Sequence, residues 1–311
     1  MPSYDRLAPM LLARRSLLRL AGGSAALLAC GGLRGWAADA APAAAPAGGA
    51  AVAFGVCTGL GKAALLKEAN ADYIEEGVGS LLMPDKDDAT FAKRAAEIAA
   101  AVVPVRCCNT FIPGALKSVG PAAAHDAILA YADTAFKRAR ACGVTTITFG
   151  SGGSRKVPDG FAKEEAVKQF TALLTRMGPL AAAQQVVVSV EPLNVGECNF
   201  LNSIGDVAAV VGPANNPAVG ITADLYHMVL AGDVPADLDK HIALLRHFHI
   251  AEKAKRAMPG VAGDDFRGWF RVLANHGWTG RMSIESNGGG DAAAYGKSIA
   301  YLRAQAKEAG I

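Results

Sequence analysis

The stretch Val186–Glu197, VVVSVEPLNVGE, holds the reading on which the fold turns. Five apolar or small residues, suited to a strand buried on both faces, run straight into Glu191, and a proline follows. A carboxylate at the end of such a strand is costly to desolvate unless something pairs with it.

Outward from that strand, short apolar runs alternate with Ala-rich helical text. The predicted strands are 51–57, 71–76, 102–108, 145–150, 186–191, 218–224, 244–250 and 281–286. Between them lie FAKRAAEIAAA, AAAHDAILAYADTAFKRARACG and EEAVKQFTALLTRMGPLAAAQ, whose apolar positions recur at helical spacing. Gly143 and Gly277 read as helix C-caps leading into strands. Eight strands alternating with helices over 51–311 is the size and pattern of a single (β/α)8 barrel. A doubly wound sheet is the rival, but VCTGLGK after the first strand is a poor G-x-G-x-x-G fingerprint. The glycine-rich Gly150–Gly153 lacks the Lys-Ser/Thr ending of a phosphate loop and is read as a tight turn at the barrel mouth.

In a barrel the chemistry sits at the C-terminal ends of the strands. The last residues of strands five to eight include Glu191, Asp224, His249 and Glu285, separated by 33, 25 and 36 residues, each about one strand-plus-helix unit. Alone, each would be a rim residue or a satisfied imidazole. Together, three carboxylates and an imidazole at one mouth repel each other unless a cation is present. Oxygen-rich ligation with one nitrogen suits one divalent ion, with Mn2+ the first choice and Mg2+ or Co2+ next, better than a thiolate-rich structural zinc site.

The motifs EPLNVGE, DLYHM, HFHIAE, RAMPG and SIES, in this order and spacing, resemble the xylose isomerase-like TIM-barrel family. Within it they are most similar to the sugar (or sugar-phosphate) isomerases and epimerases typified by ketose 3-epimerases, and the resemblance covers essentially all of 51–311. It implies that Glu191, Asp224, His249 and Glu285 ligate the metal and that His227, Glu197 and Arg256 contact substrate. At the last of these the text departs from the family pattern. An arginine is expected three residues after Glu252, where Lys255 stands, and Arg256 follows with one extra residue before Pro259. Related barrels pair, so a homodimer is implied, although no interface stripe is legible.

On this reading the ion polarises a ketose carbonyl and its neighbouring hydroxyl, and Glu191 and Glu285 serve as the catalytic acid/base pair on opposite faces of the substrate. Ketose 3-epimerisation is the leading expectation. The same constellation also fits an aldose–ketose isomerase or a sugar-acid or dehydroshikimate-type dehydratase, and the choice rests on the first four loops, where Glu75, Asn109, Ser154 and Arg155 lie. Arg155 is read either as a phosphate contact or as an exposed turn, and an unphosphorylated substrate is expected. Zinc-dependent apurinic endonucleases share the broad fold but take extra histidines from early strands, whereas the first half here holds only His125, in helical text. An exported barrel that binds sugar without turnover is the non-enzymatic alternative.

Residues 1–40 carry paired Arg14 and Arg15 in ARRSLLR, then an apolar run broken by Gly22, Gly23 and Gly31. This resembles a twin-arginine export signal rather than a membrane span, with the Ala/Pro-rich 41–50 as a linker. An A-x-A site ends at Ala40; alternatively Leu27–Cys30 loosely resembles a lipobox, making Cys30 a lipid anchor. Either exit places the barrel in the periplasm. The net charge of +3 resides in this segment, and the remainder balances, which argues against a nucleic-acid surface. Cys57, Cys107, Cys108, Cys142 and Cys198 form an odd set without metal spacing and are expected to be free thiols.

Overall fold

A computed structural model describes residues 52–311. The expected signal, linker and Cys30 anchor lie outside the described residues. All eight predicted strands are present: β1 (Ala53–Cys57), β2 (Tyr73–Gly77), β3 (Val105–Asn109), β4 (Thr146–Phe149), β5 (Val187–Val190), β6 (Val219–Asp224), β7 (Leu245–Ile250) and β8 (Arg281–Ile284). They pair in sequence order, all parallel, and β1 closes on β8 through Phe54 opposite Met282, giving a closed eight-stranded barrel. Among the described residues no helix is long and apolar enough to cross a membrane.

Local chemistry sets the element ends. Asp87 caps the helix Asp88–Ala99 by accepting from the Thr90 amide at 2.8 Å. Ser203 and Asp206 form a reciprocal capping box on the helix Ile204–Ala214. Gly143 ends the helix His125–Cys142 at φ 72°, and Gly277, at φ 59°, follows the helix Arg267–Asn275, as the C-cap reading expects. Three predicted strands run past the observed ends: β4 stops at Phe149, β5 at Val190 and β8 at Ile284. Glu191 and Glu285 therefore sit just past the ladder, where the chain turns over the mouth.

The apolar core lies between sheet and helices rather than inside the barrel. Phe111, Phe136, Phe149, Phe170 and Phe200 run through it as a chain of rings, with centroids 5.1 to 5.9 Å apart. The barrel interior is polar. Tyr73, Thr148, Ser189, Thr222, His247 and Ser283 are all buried, and Thr222 bonds Ser189 at 2.7 Å and Thr148 at 3.2 Å. Gly55 is required here, since a Cβ at this position would run into the Tyr73 ring that crosses the interior. All five cysteines of the barrel are free and buried or half-buried, as expected.

Candidate active site

Alternation along a strand places residues two apart on one face. Above the polar layer just described, the next inward positions are Glu75 on β2, Asn109 on β3, Glu191 after β5, Asp224 on β6, His249 on β7 and Glu285 after β8. The structure brings four of these together: ligand atoms of Glu191, Asp224, His249 and Glu285 all lie within 4.8 Å of one another. His249 Nδ1 is the hub, 2.7 Å from Glu191 Oε1, 3.0 Å from Glu285 Oε2 and 3.9 Å from Asp224 Oδ2. Asp224 divides its work. Oδ1 caps the helix Leu225–Ala231 by accepting from the His227 amide at 3.1 Å, and Oδ2 faces the site.

Three carboxylates this close are mutually unfavourable. Burial and the neighbouring Glu285 charge push Glu191 up to about 8. Burial would raise Glu285 too, but His249 and Arg256 bring it down to about 2. Burial alone would lower His249; Glu75, Glu285 and Glu191 outweigh that and hold it well above its ordinary value. The surrounding carboxylates thus favour positive charge at the point His249 Nδ1 faces. This donor set, three carboxylates and one nitrogen around a common point, fits a divalent cation.

The residues expected to contact substrate gather around the same point. Arg256 Nη2 reaches Glu285 Oε2 at 2.7 Å and Asp224 Oδ2 at 3.1 Å, Nη1 lies 3.6 Å from Glu197, and the guanidinium stacks 5.0 Å from the Tyr226 ring centroid. To deliver it, the backbone adopts positive φ at Lys255 (60°) and Arg256 (51°), and Thr110 (48°) and Ser151 (42°) are likewise left-handed on neighbouring loops. His227 is buried. Its Nδ1 accepts from the Asn194 backbone amide at 3.1 Å and lies 3.0 Å from the Asn194 side-chain amide. Nε2 must therefore carry the proton, and among the described residues it has no hydrogen-bond partner. An orphaned buried donor beside a cavity is placed for a ligand. That cavity, of about 300 Å³, is walled by Ile112, Pro113 and Leu193 on its apolar side and by Glu191, Glu197, His227, Arg256 and Glu285 on its polar side.

Three sequence expectations are corrected. Arg155 is neither a phosphate contact nor an exposed turn: it is fully buried and donates to the carbonyls of Glu191 (2.6 Å) and Phe149 (3.3 Å). Ser154, expected on a substrate-shaping loop, is buried and donates to the Leu116 carbonyl at 2.6 Å. Glu75 is not on a loop at all but fully buried in β2, against His247 and His249. Asn109 does line the cavity. Gly150 does more than turn the chain: a Cβ there would collide with Glu191 Oε2. Sequence reading missed His247, Asn194 and Tyr226. The signal for His247 was present, since it stands two residues before His249 and so faces the same interior.

The chain belongs to the xylose isomerase-like TIM barrel family, whose model matches residues 63–305. It is 32% identical over 139 residues to a 3-dehydro-D-guloside 4-epimerase of Escherichia coli (strain K12), covering 44% of this chain and 53% of that protein. It is 31% identical over 116 residues to a ketose 3-epimerase of Arthrobacter globiformis, covering 37% of this chain and 40% of that protein. The chain thus spans about half the length of the curated relatives it matches. The crystal structure of apo 3-keto-D-glucoside 4-epimerase from E. coli shares its fold, with a TM-score of 0.69 and 21% identity over 81% of this chain and 99% of that one.

Proposed function

We propose that this chain is a divalent-metal-dependent sugar epimerase that removes and returns a proton on the carbon next to a sugar carbonyl, with 3-epimerisation of an unphosphorylated ketose as the leading case. The observation that carries it is the opening of Glu191 and Glu285, from well-separated strands, onto one cavity beside Asp224 and His249. Inverting a stereocentre needs two acid/base groups reaching opposite faces of the same carbon, and this site offers two carboxylates. The relatives support the step: in a ketose 3-epimerase and a 3-dehydro-D-guloside 4-epimerase alike, the inverted carbon adjoins a carbonyl.

Glu191, Asp224, His249 and Glu285 would hold the ion, Mn2+ by preference with Mg2+ or Co2+ as substitutes, and it would supply Lewis-acid polarisation of the carbonyl oxygen. The chain's own residues do the rest. Glu191 opens onto the cavity from the end of β5, buried beside Glu285, where a carboxylate can exchange a proton with the substrate. Glu285 faces the cavity just past β8, and Arg256 donates to its carboxylate at 2.7 Å. One carboxylate takes the carbon-bound proton while the other returns one to the opposite face. His227 Nε2–H donates to a substrate hydroxyl, and Arg256, braced on Tyr226, orients Glu285.

Proton NMR in D2O with Mn2+-activated protein, diluted to limit line-broadening, and a panel of unphosphorylated ketoses, aldoses and 3-keto-glycosides tests this. Metal-dependent deuterium entry next to the carbonyl with a new epimer is expected. Entry at C1 or C2 of an aldose–ketose pair would replace epimerisation with isomerisation, and absence of exchange in every sugar would remove the proposal. Export by residues 1–40 belongs to the same reading. Replacing Arg14 and Arg15 by Lys should retain the chain in the cytoplasm, and N-terminal sequencing of the exported form distinguishes cleavage after Ala40 from lipidation at Cys30.

A further inference from the structure

Beneath the four-residue cluster lies a carboxylate that neither lines the cavity nor points toward it. Glu75 is fully buried in β2, and both of its oxygens are occupied. Oε1 lies 2.9 Å from His249 Nε2; Oε2 lies 2.7 Å from His247 Nε2 and accepts from Ser283 Oγ at 2.6 Å. Behind Ser283 stands the Tyr73 hydroxyl, at 2.7 Å. The two imidazole rings meet the carboxylate nearly at right angles to each other, 83° between planes with centroids 4.9 Å apart. Glu75 is thus clamped from three directions and cannot turn away from His249.

We propose that Glu75 is the positioning residue of the metal centre: by accepting the Nε2 proton of His249 it sets the tautomer and ring plane that aim Nδ1 at Glu191, Asp224 and Glu285. The proposal rests on the reading of those four residues as metal-binding. An ionised carboxylate can only accept, so the His249 nitrogen that faces it must be the one bearing hydrogen. A neutral imidazole then has its single lone pair on Nδ1, the atom already 2.7 to 3.9 Å from the three carboxylates. A carboxylate on the far nitrogen of a ligating histidine also raises its basicity, and its loss commonly costs 10- to 100-fold in metal affinity. His247, Ser283 and Tyr73 do for Glu75 what Glu75 does for His249.

Glu75, Cys107 and His247 also bring ligand atoms within 4.8 Å of one another. Here, however, Glu75 and His247 are already bonded to each other, and burial drives the Cys107 thiol upward, away from the thiolate a cation would need. The cluster supports the site above it.

The test is Mn2+ titration of the full chain by calorimetry, with pulsed EPR reading the 14N coupling of the ligating imidazole. Wild type should bind one Mn2+ with a single histidine nitrogen in its coordination sphere. Glu75→Gln, the same shape with one acceptor oxygen exchanged for a donor amide, should bind Mn2+ 10- to 100-fold more weakly with the 14N coupling shifted or lost. Wild-type affinity and an unchanged coupling in Glu75→Gln would overturn the proposal. So would two Mn2+ ions per wild-type chain with one lost in Glu75→Gln, because Glu75 would then itself be a ligand. If the variant does not fold, 15N-histidine NMR of Mg2+-loaded wild type decides: a protonated Nε2 and an unprotonated Nδ1 on His249 are expected, and the reverse tautomer refutes it. A wild type that binds no divalent ion fails earlier, at the metal-site reading itself.

Discussion

Arg155 holds Glu191 from behind. Its Nη2 donates to the Glu191 carbonyl and Nη1 to that of Phe149, so one buried guanidinium ties the end of β4 to the residue that turns over the mouth after β5. Arg155→Met leaves both carbonyls short of a donor, and a stability loss of about 3 kcal/mol is expected in urea denaturation. On the other side of Glu191, Gly150 leaves the space its carboxylate occupies. Glu285 belongs to the chemistry rather than the scaffold. Glu285→Gln should cut turnover by about 10²- to 10⁴-fold while one ion remains bound, and turnover at the wild-type rate would remove it from the mechanism. His227 offers a donor with no hydrogen-bond partner among the described residues, so His227→Phe should lower kcat/KM for the sugar by about 10- to 100-fold, read in steady-state kinetics. The strand-end carboxylates were legible because charge after an apolar run is conspicuous. Arg155 was not, because an arginine in RKVPDG looks the same in text whether it faces solvent or a carbonyl.

At the scale of elements, the loop after β7 shows how a strained segment is held. Glu252 is fully buried, and its carboxylate accepts from the backbone amides of Gly260 (2.7 Å), Gly263 (2.9 Å), Asp264 (3.2 Å) and Ala262. This ring of donors folds residues 257–264 into a closed turn and fixes the base of the segment that carries Arg256 at positive φ. Glu252→Gln should speed amide exchange at Gly260, Gly263 and Asp264 by more than about tenfold, since a neutral amide accepts more weakly and from one oxygen only. Mn2+ affinity should change far less, because Glu252 touches none of the four site residues. The number and order of strands were legible, since each is an apolar run ended by turn chemistry. Their ends were not. The texts VVVSVE and RMSIES continue the strand pattern, but pairing stops at Val190 and Ile284, where one of the two neighbours, β4 and β7 respectively, ends.

For the whole molecule, the site is a convergence of residues from the four neighbouring strands β5 to β8, while β2 supports it from below through Glu75. Any ion that binds only the closed form therefore stabilises the entire barrel. At a free-ion concentration of about 100 Kd the gain is about 2.7 kcal/mol. Removing the ion with EDTA should lower Tm by roughly 5–10 °C for a domain of this size. An unchanged Tm would argue that the cluster is held by His249 and Arg256 alone.

By itself the sequence determined the alternation of strands and helices, the barrel, and the four polar residues at the mouth, because burial periodicity and charge at strand ends are local properties of the text. Only the tertiary structure decided what those residues face. Glu75 turned inward beneath the site rather than outward on a loop, and Arg155 went to carbonyls rather than solvent. Asn194 and His227, 33 residues apart, fixed a tautomer between them. The physical reason is the same in each case. A polar side chain's role is set by the partners that satisfy it, and here at least one partner of each comes from a stretch distant in sequence that folding brings close.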